Sequence, residues 1–61
     1  MFEKAQIDNL FAELKQDWQG KPEFEKLHRD VDLGIAFYDT GRPMEGLDAR
    51  AVSLINKHKP E

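Results

Sequence analysis

Residues 32–48 read DLGIAFYDTGRPMEGLD, and their punctuation decides how the chain folds. Gly41-Arg42-Pro43 reads as the stop of one helix, because glycine takes the left-handed conformation that ends a helix and proline cannot continue one. Leu47-Asp48 reads as the start of the next. The Asp48 carboxylate is placed to accept from free N–H groups of a first turn, and Leu47 and Val52 have the spacing of a hydrophobic staple. A second Asp-x-Gly, Asp32-Leu33-Gly34, lies seven residues before Asp39-Thr40-Gly41, inside what otherwise reads as helix. Glycine there costs about 1 kcal/mol against alanine. A neighbour that must approach closely, either another helix of the chain or a different protein, would explain it.

The same punctuation recurs on both sides. Gly20-Lys21-Pro22 is a stop followed by a start, with proline suited to a first helical position, and Pro60 closes the last segment. Three helices follow, at about 3–18, 22–40 and 48–58, and no stretch alternates as a strand would. The fold class expected is all-α: a small three-helix bundle, with an antiparallel hairpin of the first two helices and a shorter third, in a single domain spanning 1–61.

The apolar pattern fills in the faces. Ile7, Leu10, Phe11, Leu14 and Trp18 fall in a sector about 100° wide, a seam for one neighbouring helix. Phe24, Leu27, Val31, Ile35 and Tyr38 form a similar seam, with Gly34 at its edge. Leu33 and Phe37 lie outside it, giving the second helix two apolar faces. The third helix has Ala51, Val52, Leu54 and Ile55 on a broad apolar side. Lys57, His58 and Lys59 stand where a helix C-terminus favours positive charge. The short connections favour a hairpin of the first two helices. The third helix then either covers Leu33 and Phe37 or leaves them to another chain. Gly34, Trp18 and Tyr38 are assigned to helix packing; Trp18 also fits a partner hot spot.

Composition narrows the function. The chain has 61 residues, nine basic and twelve acidic, for a net charge of −3. Charges are interspersed, and a net acidic chain is poorly suited to neutralising phosphates, so nucleic-acid binding is not expected. No run of about 18 apolar residues spans a membrane. The opening MFEKAQIDN lacks the layout of a secretory signal, and with no cysteine the chain fits the cytoplasm. His28 and Asp30 point to different sides of a helix and no His-x₃-His pair exists, so no metal or other cofactor is expected. Thr40, Ser53 and Tyr38 are the only hydroxyl groups, and none stands in a nucleophile–base arrangement; no enzyme activity is expected. Arg42 either caps the last carbonyls of its helix or reaches a carboxylate on a partner.

Residues 26–59, KLHRDVDLGIAFYDTGRPMEGLDARAVSLINKHK, resemble the toxin-binding C-terminal region of ParD- and RelB-type antitoxins. That region often follows the pattern D-[IV]-x-x-G-[IL]-x-x-x-[DE]-x-G-R, then a short loop, an acidic cap and an amphipathic helix ending in basic residues. The matching positions are Asp30, Val31, Gly34, Ile35, Asp39, Gly41, Arg42, Asp48, Val52 and Leu54. The resemblance implies a small bacterial inhibitor whose partner is a toxin-like protein, and it marks Leu33, Phe37, Arg42, Leu47, Val52 and Ile55 as partner contacts. These antitoxins usually begin with a ribbon–helix–helix part; residues 1–20 here read as a helix, so the resemblance implies a compact form without its own operator-binding module. The alternative function is a homodimeric helical scaffold or accessory subunit, in which Leu33 and Phe37 face a second copy. A DNA-binding regulator is a more distant third.

Overall fold

The computed structural model describes residues 1–60. Among them, three helices form an all-α bundle: α1 (Lys4–Trp18), α2 (Phe24–Thr40) and α3 (Ala49–His58). Each boundary has a local cause. At the end of α2, Gly41 adopts φ 75°. Its N–H donates to Tyr38 O at 3.2 Å, and the Arg42 N–H donates to Phe37 O at 2.8 Å. Those two bonds are the Schellman closure of a helix. At the start of α3, Asp48 Oδ1 accepts from the Arg50 N–H at 2.9 Å, as an N-cap should. The start of α2 differs from expectation. Lys21–Glu23 form a turn in which the Phe24 N–H donates to Lys21 O at 3.1 Å, so the helix begins two residues after Pro22.

Both seams meet in one core. Leu10, Leu14, Leu27, Val31, Ala51 and Ile55 are fully buried, and Ile7, Phe11, Trp18, Phe24, Ile35, Tyr38, Met44 and Leu54 pack against them. Phe2, which lies off the α1 seam, is buried as well. It covers one end of the bundle, edge-on to the Tyr38 ring at 5.2 Å between centroids. Its N–H donates to Asp39 Oδ1 at 2.8 Å.

The helices are arranged around α3. It packs more extensively against α2 and against α1 than those two pack against each other. α1 runs antiparallel to α2, since Phe2 meets the C-terminal end of α2. α3, however, runs in the same direction as α2. It starts beside Glu23, Lys26 and Asp30, and beyond its far end the Pro60 carbonyl accepts from Tyr38 Oη at 3.2 Å. Residues 41–48 therefore travel back about 15 Å along α2 before α3 begins, a distance seven or eight extended residues span with ease. The Cα radius of gyration is 10.7 Å, against about 10.5 Å for a compact chain of this length. α3 is thus folded onto the other two helices.

Candidate protein-binding face

Although α3 docks, it does not do what the second apolar face of α2 called for. It settles on the Gly34 side, and Leu33 stays 42% exposed. Phe37, one turn on, is half-buried and outside the core. The reason lies in the helix wheel. Leu33 stands about 100° round α2 from Gly34 and Phe37 about 60°, so a helix that sits on Gly34 and Val31 leaves Leu33 beyond its edge.

What α3 gains by that placement is close approach. Gly34 is buried, and a β-carbon there would overlap Ile55 Cδ1 and come within 3.3 Å of Leu47 Cδ1. Ile55, expected at a partner surface, is instead fully buried in this contact. The remaining expected contacts keep some exposure: Leu47 and Val52 are half-buried outside the core, and Arg42 is exposed. Trp18 and Tyr38 are half-buried against the core.

Two polar junctions hold α3 in position. At its N-terminus, Asp30 is a buried carboxylate whose Oδ2 accepts from the Asp48 N–H at 3.0 Å. Asp48 in turn accepts from Arg50 Nε at 2.9 Å and Nη2 at 2.8 Å, and Lys26 Nζ lies 3.6 Å away. Arg50 also pairs with Glu23 and lies over the Trp18 ring at 4.8 Å. The Arg50 side-chain bonds, then its backbone N–H, hold the Asp48 carboxyl well below the usual carboxylate range. The same bonds raise Arg50, first through Asp48 and then through Glu23. At the other end, Glu13 of α1 receives Lys57 Nζ at 2.9 and 3.1 Å and lies 3.0 Å from His58 Nε2. Bonds from Lys57, then His58, hold Glu13 below its ordinary pKa.

His28 takes a half-buried border position. Its ring lies 4.7 Å from that of Phe11, and Nδ1 lies 3.5 Å from Asp32. Among the described residues no group of three or more His, Cys, Asp or Glu could hold a metal ion, no pocket forms, and no helix is long and apolar enough to cross a membrane.

One residue beside Leu33 was not singled out from the sequence. Arg29 is exposed one turn before Leu33, and among the described residues it pairs with no carboxylate; neither does Arg42. The spacing Arg29, Leu33, Phe37 in steps of four is the signal that places them along one side. Comparison with protein-family models, curated proteins and solved structures finds no match to the chain.

Proposed function

We propose that the chain is a small protein-binding module that neutralises a partner protein in the manner of an antitoxin, without a catalytic step. The observation that carries this reading is the exposure of Leu33 beside a half-buried Phe37, on a helix whose other large apolar residues enter the core or pack against it. A small domain has little apolar side chain to spare, and Leu33 with Phe37 beside it gives a partner an apolar foothold on the helix face. The residue 30–54 pattern supports a toxin-like partner, and Leu47, Val52 and Arg42 keep the accessibility such a contact needs. The same reading puts the protein in the cytoplasm, where such partners act.

Co-expression with the product of the adjacent reading frame tests this. The expected result is a stable complex and relief of growth arrest, both lost in Leu33→Asp while the isolated variant still melts cooperatively. An adjacent frame that encodes no small toxin-like protein, together with a pull-down that finds no partner, would overturn it. A concentration-dependent dimer in sedimentation, broken by Leu33→Asp, would favour the homodimeric scaffold instead.

A further inference from the structure

The three arginines of this chain are used unequally. Arg50 spends its guanidinium on Asp48 and Glu23. Arg29 and Arg42 are exposed and pair with no carboxylate among the described residues, although the chain carries twelve acidic side chains. These two flank the exposed Leu33 and the half-buried Phe37. Arg29 is one turn before Leu33, about 40° round the helix from it. The Arg42 N–H is bonded to the Phe37 carbonyl, which fixes its backbone just past the last turn. Of the carboxylates close to them in sequence, Asp32 pairs with His28 and Asp39 with the N-terminal amine and the Phe2 N–H, while Glu25 and Glu45 bridge to neither arginine.

We propose that this face receives an acidic amphipathic segment of the partner protein, two apolar side chains seated on Leu33 and Phe37 and a carboxylate at each side reaching Arg29 and Arg42. The proposal rests on the protein-binding reading above and names the chemistry of its occupant. A guanidinium presents a planar fork that matches a carboxylate, and it is weakly hydrated enough to be covered in an interface. The two arginines stand about 15–20 Å apart along α2, so the carboxylates of a helical occupant lie roughly three turns apart. An apolar centre between the charges selects a peptide over a nucleic-acid backbone, and the net charge of −3 opposes polyanions as a class. Attraction is therefore local, and it weakens with salt.

The test uses the full chain, isotopically labelled, and two synthetic helical peptides of roughly 16 residues, identical but for glutamates or lysines flanking a central Leu-x-x-x-Phe. The glutamate peptide is expected to shift the amide signals of residues 29–42 and to bind several-fold more weakly at about 300 mM than at about 50 mM salt. Arg29→Glu and Arg42→Glu should each weaken it about threefold to tenfold with unchanged melting, and the double variant should accept the lysine peptide instead. If the lysine peptide binds the unaltered chain at this face as well or better, the acidic occupant is wrong while the protein-binding reading stands. If neither peptide shifts Leu33 or Phe37, the occupant is overturned; the co-expression assay then decides the broader reading separately. Displacement of the glutamate peptide by a short DNA duplex bound at the same residues, or a self-associated dimer closed over them, also overturns it.

Discussion

Ile55 lies over Gly34 so closely that a β-carbon at residue 34 would displace its δ-methyl. The contact sits at the centre of the most extensive helix pair in the molecule, and it explains a glycine that weakens α2. Gly34→Ala gains about 1 kcal/mol of helix propensity but forces the buried δ-methyl of Ile55 aside, an overpacking cost of about 1–3 kcal/mol. The expected net effect is a loss of about 1 kcal/mol, or about 4–8 °C in melting temperature for a domain of this size. Ile55→Val alone should cost about 1 kcal/mol. In that background Gly34→Ala should become neutral or stabilising. Denaturant melts followed by the single tryptophan, Trp18, complete the double-mutant cycle; strict additivity would show that the two residues do not compete for space.

The buried carboxylate of Asp30 serves the backbone of another segment, and its test follows from that geometry. Asp30→Asn retains an acceptor for the Asp48 N–H and should cost under about 1 kcal/mol. Asp30→Ala strands that N–H and should cost about 1–3 kcal/mol. A difference of that sign between the two variants in chemical denaturation identifies the hydrogen bond, rather than charge, as what the position supplies.

Leu33 and Val31 separate surface from interior on the same helix. Leu33→Asp should leave the isolated chain within about 1 kcal/mol of its starting stability, because the site is solvated. Val31→Asp buries a charge where no partner exists and should unfold a domain whose whole stability is about 3–9 kcal/mol. Circular dichroism of the two variants is sufficient to read this.

Acid should loosen the bundle at the two ends of α3. Glu13 and Asp48 both have folded-state pKa values below their unfolded ones. Their contribution is therefore fully present above the ordinary carboxylate range, about pH 4, and is lost as pH falls through the folded values. Asp48, the more strongly lowered, gives way last. Glu13→Gln should flatten the upper part of the acid limb in a melting series from neutral pH downward, and high salt should do so partially.

The helices and most of their limits, the start of α2 excepted, were legible because each rests on residues close in sequence. Gly41 with Arg42 encodes a Schellman closure, Asp48 caps the turn that follows it, and the two five-residue seams point inward as their spacing requires. The bonds that orient α3 were not legible. Asp30 to Asp48, Glu13 to Lys57 and His58, and Phe2 to Asp39 join groups 18, 44, 45 and 37 residues apart, and nothing local distinguishes these carboxylates from the solvated ones beside them. The exposure of Leu33 was open for a related reason. Whether α3 sits on Gly34 or on Leu33 depends on the returning path of residues 41–48, which helix periodicity does not encode.

That path also sets an order of assembly. A hairpin of α1 and α2 is the smallest of the three helix pairings, whereas α2, the connection and α3 form the largest one within a continuous stretch of chain. The two connections differ by only a few residues, so their closure costs are close; the larger α2–α3 contact then makes residues 24–58 the expected nucleus, with α1 closing over it afterwards. Truncations at Ile55 should then slow refolding, while those at Leu10 should chiefly speed unfolding, a distinction that stopped-flow chevrons of the two variants would read directly.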